Sequence, residues 1–131
     1  MSKRSIFLGA ALILLSSVGL AQADDLAKKG AKVFKKCKAC HAVGPDAKNK
    51  VGPQLNNLIG RKIGGAEGYK YSDALIAKGA DGTVWTEESL TAFLKKPKDF
   101  APGTKMAFSG LKKEKHQKAI LAYFKSLSEA K

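Results

Sequence analysis

Apolar positions in this chain fall into one continuous block followed by four helical stripes. Ile6 to Leu20 is a mostly apolar run behind Lys3 and Arg4. From Asp24 to Lys36, Leu26, Gly30, Val33, Phe34 and Cys37 recur at intervals of three and four. That spacing predicts a helix, and Asp24 and Asp25 favour its N-terminus through the macrodipole. Gly30 is costly in mid-helix, so a close contact with another helix is expected there. Ser72 can cap a short helix through Lys78, with Gly79 ending it. Thr86 caps the next, which sets Leu90, Phe93 and Leu94 on one face and stops at Pro97. Lys112 to Leu127 makes a last helix with a stripe of Ile120, Leu121, Tyr123, Phe124 and Leu127. Between them, Gly44-Pro45-Asp46 and Gly52-Pro53 mark Val43 to Leu58 as irregular, with Leu55, Leu58 and Ile59 turned to the core. Pro102 to Met106 reads as a loop. No stretch alternates with period two and no repeat is visible, so the expected fold class is all-α.

The apolar block changes the boundaries. A basic start, an apolar run and Ala21-Gln22-Ala23 form the pattern a signal peptidase cuts. An uncleaved anchor is the rival, but the run is shorter than the ~20 residues a spanning helix needs. We therefore expect residues 1–23 to be a signal peptide removed after Ala23, and residues 24–131 to form one domain. A bacterial periplasm is the expected destination.

Candidate chemistry is concentrated in Cys37-Lys38-Ala39-Cys40-His41. Two thiols three positions apart, followed at once by an imidazole, are the spacing that fastens a haem covalently. Each thiol can add to one vinyl group, and the next residue can then reach the iron. A redox disulfide would want a βαβ setting, which is not apparent. A structural zinc needs about four ligands, and the chain has only two cysteines and two histidines. A four-residue disulfide loop would constrain the unfolded chain very little. One covalent haem c, held by Cys37 and Cys40 with His41 on the iron, is the expected cofactor.

The second axial ligand has few sources. Met1 leaves with the leader, so Met106 is the remaining methionine, and His116 is the other histidine. His116 sits among Lys113, Lys115 and Lys118, as on a solvated helix face. Met106 lies in a loop that Pro102 and Gly103 can fold tightly, so Met106 is the expected sixth ligand.

Charge narrows the partners. Lysine and arginine total 24 against 11 aspartates and glutamates, a formal net charge of +13. Such a balance invites nucleic acid, but an exported protein meets little of it. The basic side chains are nearly all lysine, with Arg4 and Arg61 the exceptions, whereas arginine is the usual residue for bidentate phosphate or base recognition. An acidic protein surface is the better expectation. Gly60-Arg61-Lys62-Ile63-Gly64-Gly65 lacks the Gly-Lys-Ser/Thr ending of a phosphate-binding loop.

Taken together, Cys-x-x-Cys-His at 37 to 41, Gly52-Pro53, Gly60-Arg61-Lys62, Tyr71-Ser72-Asp73, Trp85 and Pro102-Gly103-Thr104-Lys105-Met106 carry a family resemblance. The chain resembles the class I cytochromes c, near their exported bacterial cytochrome c2 branch, over residues 25 to 128. The resemblance implies four to five helices wrapped around one haem, with the first and last packed together. It implies that the Pro53 carbonyl accepts a hydrogen bond from His41. It places Tyr71 and Trp85 on one haem propionate, with Arg61 offsetting its charge, Thr104 on the other propionate, and Phe108 near the haem edge. Gly30 and Phe34 would meet Ile120 and Tyr123. Lys36, Lys50, Lys98, Lys105, Lys112 and Lys113 would ring the exposed edge. Phe93 departs from the mitochondrial pattern, which has tyrosine there, and the length of Ala77 to Gly82 differs too.

The implied function is one-electron transfer rather than enzymic turnover. A monomer would shuttle electrons among such partners as a bc-type complex, terminal oxidase, reaction centre or reductase. It would bind no nucleic acid and keep no membrane insertion after cleavage. Two rivals are a haem enzyme or gas sensor with an open iron, and a basic surface-binding protein whose haem is incidental.

Overall fold

The computed structural model describes residues 18–130. Its helices, in chain order, are α1 (Val18–Phe34), α2 (Asp73–Gly79), α3 (Glu87–Lys95), α4 (Pro97–Phe100) and α5 (Glu114–Glu129). The all-α expectation holds. Extended pairing among the described residues is limited to one antiparallel bridge between Lys62 and Val84. No helix among them is long and apolar enough to cross a membrane.

Helix α1 begins at Val18 rather than Asp24. Residues 19–25 are exposed, with Leu20 at 76%, so the added turn buries nothing that would hold it to the domain. Most of the expected signal peptide lies outside the described residues. At its other end, the helix gives way after Phe34 to tight turns that run through Cys40.

The main helix contact is α1 against α5. Their facing stripes put Phe34 and Ile120 among the most deeply buried side chains, each stabilising the fold by ~1.5–3 kcal/mol. The Phe34 ring lies 5.3 Å from that of Tyr123 and 6.2 Å from that of Phe124. Gly30 faces the Ala119 carbonyl and the Tyr123 Cβ, where a methyl group would stand 2.6 Å from the latter. The expected meeting of Gly30 and Phe34 with the α5 stripe is seen at Tyr123, and Gly30 also approaches the Ala119 backbone.

Local signals set the short helices. Ser72 caps α2, its hydroxyl accepting from the Leu75 N–H at 3.4 Å. Gly79 closes α2 from inside, pressed against the Ile63 carbonyl. Thr86 caps α3 through a reciprocal pair with Ser89. Pro97 ends α3, forcing Lys96 to φ −158° and ψ 85°. It also starts α4 as its first residue, a position that tolerates the missing N–H. Helix α5 spans Glu114–Glu129, two residues later at each end than Lys112 to Leu127. Val43 to Leu58 is irregular as expected, with Leu58 buried and Leu55 and Ile59 packed on the core.

Candidate haem site

The turns after α1 place the motif residues. The Cys37 N–H donates to the Phe34 carbonyl at 2.8 Å, and the N–H groups of Cys40 and His41 both donate to the Cys37 carbonyl at 3.1 and 2.9 Å. This winding brings Cys37, Cys40 and His41 to the wall of a single cleft, which Met106 also lines. The two thiols are not joined. Burial, with the neighbouring Cys40 second, pushes the Cys37 thiol up to about 11.

His41 is fixed from two sides. Its Nδ1 lies 2.7 Å from the Pro53 carbonyl oxygen, so Nδ1–H donates and Nε2 keeps its lone pair. Gly52 packs flat on the ring, where a Cβ would come within 2.7 Å of Nδ1 and 2.8 Å of Nε2. Burial holds the imidazole below its usual pKa, partly opposed by the Pro53 hydrogen bond.

Met106 sits in the loop between α4 and α5. Gly103, at φ +89°, turns the chain, and the Thr104 N–H bonds back to the Ala101 carbonyl at 2.9 Å. The Met106 N–H donates to the Thr104 hydroxyl at 3.3 Å. The loop is pinned again where the Leu111 N–H meets the Leu94 carbonyl at 2.7 Å. His116, on α5, lies outside the cleft lining.

The polar end of the cleft is assembled by the small bridge. The Gly60 N–H donates to the Trp85 carbonyl and the Trp85 N–H to the Arg61 carbonyl, at 2.7 and 2.9 Å, which sets Arg61 beside Trp85. Trp85 is buried against Phe93 at 5.2 Å and Phe100 at 5.7 Å. One Arg61 nitrogen, Nη1, reaches the carbonyls of Gln54 and Asn56 at 2.9 and 3.0 Å. Arg61 Nε is buried with no hydrogen-bond partner, and desolvation lowers the guanidinium pKa. Tyr71 accepts from the Ala66 N–H at 2.9 Å, which leaves its hydroxyl proton for another acceptor.

These features fit a haem. Leu58, Leu75, Leu90, Phe93 and Leu94 supply apolar walls, two thiols stand beside an oriented imidazole, and an unpaired cationic donor lines the same space. An unpaired buried donor costs about 1–3 kcal/mol, a cost a carboxylate such as a propionate removes. Tyr71, Trp85, Thr104, Pro53 and Phe108 all line the cleft as well.

The lysines divide. Lys36 and Lys105 line the cleft, whereas Lys98 lies on α4 and Lys113 precedes α5, both exposed and outside the lining. The ammonium groups of Lys50, Lys105 and Lys112 donate to the carbonyls of Lys38, Lys70 and Lys95 at 2.8, 3.1 and 3.0 Å. Sequence reasoning missed Asn49, Gln54, Asn56 and Tyr69, whose side chains stitch the cleft loops together. Asn49, Gln54 and Asn56 cluster as amides around Gly52-Pro53, but nothing in the sequence marked their partners or Tyr69.

Comparison with known proteins agrees with this geometry. The cytochrome c family profile matches residues 27–128. Cytochrome c-550 of Ancylobacter novellus is 55% identical over 100 residues, covering 76% of this chain and 94% of that protein. Cytochrome c2 of Blastochloris viridis is 47% identical over 116 residues and 88% of each chain. The structure of cytochrome c2 from Rhodospirillum centenum matches with a TM-score of 0.74 at 42% identity, covering 78% of this chain and 98% of that one. The chain therefore belongs to the cytochrome c family, as a class I, cytochrome c2-like electron carrier with one haem c attached through Cys37 and Cys40.

Proposed function

We propose that His41 and Met106 are the two axial ligands, so that the protein transfers single electrons without binding a substrate at iron. The observation that carries this reading is one cleft lined by both thiols, the imidazole and the Met106 thioether. When bound, the haem supplies an iron that alternates between Fe(III) and Fe(II). His41 donates through Nδ1 to Pro53 and so presents Nε2 in a fixed direction. Met106 would hold the iron through its sulfur, and a thioether favours the reduced ion. The leucine-rich wall excludes water and disfavours the extra positive charge of the oxidised form, which raises the potential. Arg61, Tyr71 and Trp85 hold one propionate and Thr104 the other.

Redox partners meet this carrier at the cleft mouth. Lys36, Lys50, Lys98, Lys105, Lys112 and Lys113 steer it to acidic faces of a bc-type complex, terminal oxidase, reaction centre or reductase. The chain works as a monomer in the periplasm after cleavage behind Ala23.

Carbon monoxide tests the ligation. The reduced holoprotein is expected to be low-spin and to bind no carbon monoxide, while Met106→Ala binds it readily. Carbon monoxide binding by the unaltered protein would instead assign an open-iron enzyme or sensor.

A further inference from the structure

Residues 66–71 are tied to both ligand loops. Within the segment, Gly68 at φ +72° allows a turn in which the Tyr69 N–H reaches the Ala66 carbonyl at 3.4 Å. The Tyr71 hydroxyl closes the same turn by accepting from the Ala66 N–H at 2.9 Å, and the Tyr69 ring meets that of Tyr71 edge-on at 4.8 Å. The segment is thus a preformed unit rather than a slack connection.

Two hydrogen bonds fasten it to the His41 side. The Tyr69 hydroxyl donates to the Val51 carbonyl at 2.7 Å, next to the Gly52 that packs on the imidazole. The Asn49 side-chain amide donates to the Glu67 carbonyl at 2.8 Å while its oxygen accepts from the Gln54 N–H at 3.0 Å. Another bond fastens it to the Met106 side, where the Lys105 ammonium donates to the Lys70 carbonyl at 3.1 Å. Between Thr104 and Leu111, among the described residues, this is the loop's one hydrogen bond to another segment.

We propose that residues 66–71 act as a tie between the two axial-ligand loops, with Tyr69 as a positioning residue for Met106. Its hydroxyl anchors Tyr69 to the His41 side, and the carbonyl of the next residue, Lys70, is thereby held as a fixed acceptor for Lys105. Lys105 immediately precedes Met106, so the strap restrains the thioether. Loss of the phenol proton donor leaves the Lys70 carbonyl free to drift, and the sulfur leaves iron more often. The inference rests on Met106 being the sixth ligand.

Imidazole binding to the oxidised, full-length holoprotein is the test. Where Met106 must leave first, the observed rate saturates at high imidazole at the release rate. Tyr69→Phe and Lys105→Leu are each expected to raise that limiting rate about threefold to tenfold, the range for one lost hydrogen bond. The double variant should not exceed the faster single one, since both act through one path. Lys105→Arg, which keeps a donor, should remain near the unaltered rate. Thr91→Val, which removes a hydroxyl bonded to the Glu87 carbonyl in α3, should change nothing. Saturating kinetics with Tyr69→Phe at the unaltered rate, multiplying effects in the double variant, or equal acceleration by Thr91→Val would overturn the tie alone. A rate that never saturates and is unchanged in Met106→Ala removes the ligand assignment, and the tie with it.

Discussion

Gly52 lies face-on to the His41 ring, so close that a single added methyl group would stand 2.7 Å from Nδ1. The same loop carries the Pro53 carbonyl that accepts the hydrogen bond from Nδ1–H. One dipeptide therefore sets both the tilt and the tautomer of the His41 imidazole. Gly52→Ala is expected to destabilise the holoprotein by ~1–3 kcal/mol, the usual cost of overpacking. It should also broaden the electronic spectrum as the imidazole rotates. Denaturant midpoints and low-temperature spin-resonance spectra of the two proteins check this.

At the helix pair, Gly30→Ala pits two effects against each other. Alanine improves helix propensity by about 1 kcal/mol. Its methyl group meets the Ala119 carbonyl and the Tyr123 Cβ, and a backbone oxygen cannot rotate away. We expect the clash to win, with a net loss of ~1–3 kcal/mol in chemical denaturation.

Phe93 lines the cleft, buried against Trp85 and against Phe100 at 5.6 Å. Phe93→Tyr adds a hydroxyl to an apolar wall, and an unpaired one would cost about 1–3 kcal/mol. The hydroxyl is expected to find a partner near Met106 and to shift the redox potential modestly. Redox titration and the sulfur-to-iron charge-transfer band are the readouts, and identical values in both proteins would refute the effect.

Charge reversal probes docking. Lys36→Glu with Lys98→Glu should slow electron exchange with an acidic redox partner roughly tenfold at low ionic strength, and less as salt screens the field. Reversing Lys28 and Lys32, which lie on α1 outside the cleft lining, should have a smaller effect. Equal slowing by both pairs would remove the role assigned to the ring.

What was legible in the sequence was local. Periodicity located α1, α3 and α5, the Ser72 cap and Gly79 stop located α2, and the caps at Ser72 and Thr86 are where the hydroxyls lie. Helix α4 was hidden because proline reads as a stop, although Pro97 both ends one helix and begins the next. The contiguous Cys37–His41 motif was plain, whereas the amide and phenol stitching by Asn49, Gln54, Asn56 and Tyr69 joins positions up to 18 residues apart and has no linear signature. Lys50, Lys105 and Lys112 were expected only as partner-facing charges, yet each closes a loop on a backbone carbonyl. The Gly30 contact with Tyr123 was anticipated, but the approach to the Ala119 carbonyl was not, since backbone approach follows helix crossing rather than the apolar stripe.

The pairing of α1 with α5 joins the first and last helices among the described residues. Its closing half is the last 16-residue helix, so an incomplete chain lacks the surface on which Val33 and Phe34 come to rest. Closure of so large a loop is slow compared with local winding. Helix α5 must therefore arrive before the domain can shut, and until then Cys37 and Cys40 lack the wall that Ile120 and Phe124 supply.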